Sequence, residues 1–288
     1  MMNGNGEKLT LKDRADRALF QTYGRFPLTL VRGEGCRVWD ETGKEFLDFV
    51  GGIAVCSLGH SAEVVTRALE EQAKTLVHVS NLFYTKPQVE VAERLVTHSF
   101  GDRVFFCNSG AEANEAAIKL ARRHAHEKFG ESRTTILSME NSFHGRTRAT
   151  LSATGQEKIR KGFDPLLSGF RFVPFNDVKA LESALDKTVC AVLIEPIQGE
   201  GGVVCPARGY LERVRELCTK NDILLIFDEV QVGMGRTGKL FAHEHFGVTP
   251  DIMTLATALG NGLPVGAMIA KEELAQAFGP GTHATTFG

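Results

Sequence analysis

Short polar segments stand directly after runs of apolar residues, and their side chains are of types that bind charged ligands. Ser109-Gly110-Ala111 follows the apolar run 103–107 and precedes a helical pattern. Asp228 follows the apolar run 223–227. An acid at the end of an apolar strand is costly to bury unless a positive group meets it. The sequence therefore indicates ligand chemistry at the ends of strands.

The small residues at 109–111 allow two interpretations. Backbone N–H groups at the start of a helix, together with the helix dipole, favour a phosphate. Ser109 is also an ordinary helix N-cap. Asp228 also allows more than one interpretation, because its positive partner could be a protonated ring nitrogen, a metal ion or the cation of a structural salt bridge.

Two further segments suit the walls of a site. Segment 141–147 (NSFHGRT) offers an aromatic ring, a glycine and the Arg146 guanidinium, which can bind a carboxylate through two hydrogen bonds. The alternative is a surface loop with a packed Phe143. Segment 195–202 (EPIQGEGG) carries two carboxylates and several glycines. A glycosidase pair is disfavoured there, since Trp39 is the only tryptophan available to form a sugar platform.

A glycine pattern at 233–238 (GMGRTG) matches the dinucleotide fingerprint but not its context. That fingerprint leaves a strand directly and opens a helix. Here residues 228–232 intervene and no helix start follows. A nicotinamide oxidoreductase is therefore disfavoured. The scattered cysteines and the i, i+2 histidine pairs predict no metal site.

Strand-like and helix-like runs alternate along residues 61–288, which predicts an α/β domain with a mostly parallel seven-stranded sheet and helices on both faces. Ligands of such sheets bind beyond the carboxyl ends of the strands. A hairpin over 35–50 predicts a small N-terminal subdomain, residues 1–60. The predicted strands are 103–107, 134–139, 170–174, 189–194, 223–227, 251–256 and 265–270.

Composition excludes several classes of protein. The 288 residues include 33 Lys and Arg against 35 Asp and Glu, a formal net charge of −2, so nothing predicts binding to nucleic acid or to an anionic membrane surface. The charged first twenty residues predict no signal peptide, and no run approaches the roughly 18 apolar residues of a membrane helix. Six scattered cysteines predict reduced thiols and a cytoplasmic location.

Taken together, segments from about Leu19 to Gly288 resemble the class III (fold type I) pyridoxal-phosphate-dependent aminotransferases, nearest to the acetylornithine/ornithine group. Many short motifs in the right order make this resemblance specific. They are GIAVCSLGH, SNLFYT, NSGAEANEAAIKLAR, FHGRT, EPIQGEGG, DEVQVGMGRTG, PDIMTLATALGNGLPVGAM and THATTFG.

The resemblance implies a role for each polar segment. Gly110 and Ala111, beside Ser109, would hold the cofactor phosphate through backbone N–H groups. Phe143 and Val230 would cover the two faces of the pyridine ring.

Asp228 would pair with the ring nitrogen, and Gln231 would approach the ring hydroxyl. Arg146 would bind a substrate carboxylate, and Glu200 would gate the substrate site. Thr286 would reach the phosphate of a neighbouring subunit, which implies a homodimer.

Two departures from the family pattern affect the expected activity. Thr257 stands where the family has its Schiff-base lysine, and a threonine has neither the amine nor the basicity for that work. The family also continues for roughly a hundred residues beyond Gly288, so the C-terminal small domain is expected to be absent. We expect pyridoxal 5'-phosphate to bind noncovalently.

Two functions remain under consideration. The first is an acetylornithine-type aminotransferase of arginine biosynthesis that acts on an amino acid and a 2-oxo acid and turns over poorly. The second is a non-catalytic homologue that binds pyridoxal or pyridoxamine phosphate, as a partner subunit of an intact aminotransferase.

Overall fold

The computed structural model describes residues 9–288, which fall into two compact units. The first unit contains the described residues up to Gly51 together with Leu58–Glu71. The second contains Gly52–Ser57 and Gln72–Gly288. Residues 1–8 lie outside the described residues. They belong to the predicted N-terminal segment 1–60 and to the first twenty residues, on which the signal-peptide prediction rests.

A three-stranded antiparallel sheet lies at the centre of the first unit. The second and third strands form the hairpin predicted over 35–50. Asp40 holds its turn, because its Oδ1 accepts hydrogen bonds from the N–H groups of Thr42 and Lys44 at 2.9 and 3.0 Å. The first strand was not predicted, since an arginine and a glycine interrupt its short apolar run. The strands are β1 (Leu30–Glu34), β2 (Arg37–Asp40) and β3 (Glu45–Leu47).

A seven-stranded sheet forms the second unit, in the order β4-β10-β9-β8-β7-β5-β6. Its strands are β4 (Arg103–Cys107), β5 (Thr135–Met139), β6 (Phe170–Val173), β7 (Val189–Ile194), β8 (Leu224–Asp228), β9 (Ile252–Leu255) and β10 (Gly266–Ala270). Strands β5 to β9 run parallel, and β10 lies antiparallel between β9 and β4. The predicted α/β fold and mostly parallel sheet are confirmed.

Helices accompany both units. They are α1 (Leu11–Ala18), α2 (Gly51–Ala54), α3 (Glu63–Thr75), α4 (Lys86–His98), α5 (Gly110–Phe129), α6 (Arg148–Ala153), α7 (Glu157–Arg160), α8 (Val178–Ala184), α9 (Tyr210–Lys220) and α10 (Glu272–Ala275). Single 3₁₀ turns occupy Gly130–Ser132, Ala242–His245 and Thr257–Leu259. The short turn α2 has left-handed φ angles throughout.

The large sheet is covered on both faces, which explains why its strands are apolar without alternation. Successive residues of β8 point to opposite faces: Ile226 packs in one core with α5, and Leu225 packs in the other with α9. The face of α5 toward the sheet is rich in alanine, including Ala117 and Ala121, which have no exposed surface. Small side chains let this helix lie close to the strands.

One side of the sheet collects the carboxyl ends of six strands. The parallel strands β5, β6, β7, β8 and β9 end there at Met139, Val173, Ile194, Asp228 and Leu255. Because β4 and β9 are both antiparallel to β10, β4 also ends on this side, at Cys107. Ligand-binding residues of open α/β sheets lie beyond the carboxyl ends of the strands.

The glycine pattern at 233–238 lies in a series of turns and opens no helix. The N–H of Gly235 donates to the carbonyl of Leu240 at 3.1 Å, and Arg236 donates to the Ser57 hydroxyl at 2.7 Å. The next helical element is the 3₁₀ turn Ala242–His245. This geometry agrees with the rejection of a dinucleotide-binding turn.

Within residues 9–288, none of the helices combines the length and the apolar character needed to cross a bilayer.

Asp251 is a buried carboxylate directly before β9, at the amino ends of the parallel strands of the large sheet. It accepts hydrogen bonds from Arg215 and Lys271, both at 2.7 Å, and from the N–H of Leu225 at 2.8 Å. Burial acts to raise the pKa of Asp251, but Arg215 and the hydrogen bonds outweigh it, so the pKa is lowered. The carboxylate therefore ties α9, β8 and the end of β10 together.

We expect Asp251→Asn to lower the free energy of unfolding by about 2–4 kcal/mol at pH 7, because it leaves two cations short of their partner. A lowered carboxyl pKa gives stability above the ordinary pKa of aspartate, and this stability is lost as the pH falls through the lowered value. The difference in the free energy of unfolding between wild type and variant should therefore become smaller at acidic pH. Urea denaturation across pH measures both effects.

Glu216→Gln is the matched control, because Glu216 forms an exposed pair with Arg213 on α9. Exposed pairs contribute about 0–1 kcal/mol. An equal loss of stability in both variants would contradict the assignment of Asp251 as a buried anchor.

Candidate functional site

The first turn of α5 lies at the carboxyl edge of the sheet and is capped by Ser109, whose Oγ accepts from the N–H of Glu112 at 3.2 Å. The N-cap interpretation is thus correct for the Ser109 side chain. The N–H groups of Gly110 and Ala111 precede the first intrahelical bond and are directed out of the helix start. A Cβ on Gly110 would lie 2.5 Å from a methyl group of Val230, so a glycine is required for this approach.

Asp228 is the centre of a buried hydrogen-bond network. Its Oδ2 accepts from Asn114 Nδ2 at 2.7 Å and pairs with His144 Nδ1 at 2.8 Å. Its Oδ1 accepts from the N–H of Val230 at 3.0 Å. Thr254 on β9 donates in turn to Asn114 Oδ1 at 2.8 Å. The carboxylate is only 3% exposed, and its orientation is set from three elements.

The loop after β5 packs against the start of α5. A Cβ on Gly145 would lie 2.8 Å from the Cβ of Ala111, and the φ of +132° at Gly145 also favours glycine. Phe143 is half-buried, and the Arg146 guanidinium carbon lies 5.6 Å from the centre of its ring. The Arg146 side chain itself is exposed. The predicted ring-covering residue and the predicted carboxylate-binding residue are therefore in contact.

Glu195 is a second buried carboxyl group, and it follows β7. Its Oε2 accepts from the N–H of Phe143 at 3.0 Å, and its Oε1 accepts from the N–H of Gly199 at 3.2 Å. Burial raises the pKa of Glu195 to about 7; His144 opposes this rise and Asp228 adds to it. Two acidic groups thus share one desolvated region beside the His144 ring.

Gln231 and Glu200 form a more exposed wall. Gln231 Nε2 donates to Glu200 Oε1 at 2.9 Å. A Cβ on Gly199 would lie 1.7 Å from Gln231 Oε1, so this glycine admits the glutamine side chain. The two predicted residues act as a hydrogen-bonded pair.

Thr257 follows β9 and begins a 3₁₀ turn. Its φ is +29°, which is unusual for a β-branched residue and indicates local strain. Its hydroxyl donates to the carbonyl of Val230 at 2.5 Å. The threonine is therefore joined to the segment that carries Asp228 and Val230, but its single proton is already committed.

Thr286 is exposed and lies in the segment that runs beside β4. Asn81 holds this segment through a hydrogen bond from its Nδ2 to the carbonyl of Thr285 at 3.2 Å. The His283 ring lies 4.8 Å from that of Phe105 and accepts from Lys119 at 2.8 Å. Within residues 9–288, no hydrogen bond joins Thr286 to the other predicted site residues.

The structure groups most of the predicted residues and adds three side chains to which the sequence analysis gave no individual role. Asn114, His144 and Glu195 connect the loops, although each lies within a motif or directly after a strand. The buried His144 Nε2 has no hydrogen-bond partner among the described residues. Glu195 is one of the two carboxylates that the sequence analysis noted in segment 195–202, whereas nothing in the spacing indicates that Asn114 reaches Asp228.

The chain matches a known protein family. The family model for aminotransferase class-III matches residues 20–288. The acetylornithine aminotransferase of Caldanaerobacter subterraneus subsp. tengcongensis is 57% identical over 270 residues, which cover 94% of this chain and 68% of that protein. The chain thus spans about two thirds of the length of this relative.

Solved structures agree with the fold. The ornithine aminotransferase of Toxoplasma gondii ME49 aligns with a TM-score of 0.93 and 36% identity, over 98% of this chain and 68% of that one. The N-acetylornithine aminotransferase of Stenotrophomonas maltophilia K279a aligns with a TM-score of 0.77 and 48% identity, over 89% and 65% of the two chains. These similarities show that the chain belongs to the class-III aminotransferases.

Proposed function

We propose that this chain is an acetylornithine-type aminotransferase by descent, with turnover impaired at Thr257. Its reaction would move an amino group between N-acetylornithine and 2-oxoglutarate, in arginine biosynthesis. The 57% identity to an acetylornithine aminotransferase is the observation that carries this proposal. The hydrogen-bonded network around Asp228 supports it.

The donor and acceptor groups of the site fit pyridoxal phosphate. A carboxylate offers about four acceptor positions, and Asp228 uses three, which leaves one on Oδ1 for a protonated ring nitrogen. Gly110 and Ala111 present N–H groups at the positive end of α5 for a phosphate. When bound, the cofactor supplies an electron sink that stabilises negative charge at the carbon bearing the amino group.

Further residues would complete the binding site. Phe143 and Val230 would cover the ring faces, and Gln231 would approach the ring hydroxyl. Arg146 would bind the substrate carboxylate from an exposed position beside Phe143, while Glu200 would act at the entrance.

Thr257 limits what the site can do. A lysine there would supply an amine that bonds to the cofactor and moves a proton. The Thr257 hydroxyl is far less basic and already donates to the Val230 carbonyl. The cofactor would therefore be held noncovalently, by the phosphate and ring contacts alone.

The second candidate is a non-catalytic homologue that binds pyridoxal or pyridoxamine phosphate, or a partner subunit of an intact aminotransferase. The loss of the amine at position 257, together with retention of the network around Asp228, is the observation that favours it. Binding without turnover distinguishes it from the first candidate.

We also propose a homodimer located in the cytoplasm. Segment 77–84 exposes several large apolar side chains, and Tyr84 is 99% exposed. A cluster of exposed apolar side chains in one short segment favours a protein interface. All six cysteines are free thiols, which suits a reducing compartment.

Thr257→Lys should restore the missing amine. We expect borohydride reduction in the presence of pyridoxal phosphate to attach the cofactor covalently at residue 257 of the variant, as a mass increase in the peptide that contains this residue and not in the corresponding wild-type peptide. Glutamate formation from N-acetylornithine and 2-oxoglutarate should be faster in the variant than in wild type.

Thr219→Lys is the control, because it places a lysine at an exposed position of α9. Wild-type turnover equal to that of Thr257→Lys would contradict the proposed impairment.

Gly110→Ala should weaken the binding of pyridoxal phosphate about tenfold, because the added methyl group meets Val230 and displaces the helix start. Overpacking of this kind also costs about 1–3 kcal/mol of stability. Equilibrium dialysis and urea denaturation measure the two effects. Gly279→Ala is the control, since a Cβ there meets no atom within 4 Å; equal affinities would argue against phosphate binding at Gly110.

Sedimentation equilibrium should detect a dimer, and Leu82→Lys should shift it toward monomer by placing a charge on the apolar segment 77–84. Leu167→Lys alters another exposed leucine elsewhere in the second unit and should leave the assembly unchanged. A monomeric wild-type protein at micromolar concentration would oppose the homodimer.

A further inference from the structure

Glu195 connects two loops that the proposed function assigns to different tasks. One loop, residues 141–147, carries Phe143 and Arg146. The other, residues 196–202, carries Gly199 and Glu200. The Glu195 carboxyl group accepts one backbone N–H from each loop, at 3.0 and 3.2 Å.

This bridge is built into the core and does not lie on the surface. Glu195 is 6% exposed, and both of its oxygens are used by backbone donors. Buried carboxyl groups are costly, so a well-paired one that spans two loops strongly constrains their relative positions. A side chain of another length, or with only one acceptor atom, could not satisfy both N–H groups.

The consequences of the bridge reach the ligand-facing side chains. On one side, the backbone of Phe143 sets the position of its ring, against which Arg146 lies. On the other side, Gly199 contacts Gln231, and Gln231 donates to Glu200. A shift at Glu195 would therefore change the ring-covering and substrate-facing groups together.

We infer that Glu195 is a positioning residue, which sets the distance between the loop that covers the cofactor ring and the loop that forms the substrate-facing wall. This inference rests on the proposed function. Glu195 does not touch the reacting atoms in this assignment; it acts through Phe143 and Gly199.

Burial of the Glu195 carboxyl group makes the strength of the bridge depend on pH. His144 and Asp228 are the charged or titratable groups that act on Glu195. An ionised carboxylate makes stronger hydrogen bonds to N–H groups than a protonated one. Since the pKa of Glu195 is raised to about 7 by burial, the bridge should be stronger at pH 8 than at pH 6.

The test measures pyridoxamine phosphate bound to the full chain, by equilibrium dialysis and by the circular dichroism of each bound molecule. The free ligand is achiral, so its dichroism reports how firmly and in what orientation the site holds the ring. Glu195→Gln keeps the length but replaces one acceptor with a donor. We expect about tenfold weaker binding and a smaller dichroism per bound molecule, with a larger difference from wild type at pH 8 than at pH 6.

Glu195→Asp keeps the charge but shortens the reach, and it decides the matter if the glutamine variant fails to fold. Reduced dichroism in Glu195→Asp supports the bridge, whereas wild-type dichroism in either folded variant overturns it. Glu140→Gln is the control, because it alters an exposed carboxyl group directly before the loop 141–147. Its binding and dichroism should match those of wild type. Absence of binding by wild type itself would instead reject the proposed function, so the two failures are distinguishable.

Discussion

The buried Asp228 carboxylate is the constraint on which the rest of the site depends. A charge 3% exposed at the end of an apolar strand is unfavourable unless donors surround it. Asn114 from α5, His144 from the loop after β5 and the N–H of Val230 supply those donors. Each donor comes from a different part of the chain, so satisfying one carboxylate brings three segments together.

Glu195 extends this arrangement to the next strand. It lies close enough to Asp228 and His144 to interact with both. Its carboxyl group also accepts backbone hydrogen bonds from Phe143 and Gly199, which lie in two different loops. Burial raises the pKa of Glu195, and repulsion between the two acidic groups adds to that rise. In the proposed function, the cationic ring nitrogen next to Asp228 would relieve that repulsion. The same groups would then serve both the fold of the loops and the binding of the ring.

Thr257 shows how a site can keep its architecture without its chemistry. Its backbone has a φ of +29°, and its hydroxyl donates to Val230, so it is integrated into the turn beside Asp228. Hydrogen bonding and packing maintain this position without an amine. The proposed loss of turnover therefore requires no disturbance of the network, and the proposed binding of the cofactor depends on the helix start and on Asp228.

The large sheet was predictable because its strands are continuous apolar runs, which burial on both faces requires. The predicted bounds of these strands agree with the structure to within one residue. Short motifs after those strands also indicated Gly110, Phe143 and Asp228. Pairing across the sheet and side-chain reach were decided only by tertiary structure: the antiparallel insertion of β10, and the meeting of Asn114 with Asp228 over 114 positions of sequence. The pattern of apolar residues in one segment predicts which of its residues are buried. It does not predict which residue each buried polar group contacts, because a long-range hydrogen bond forms only when two segments that are distant in sequence meet.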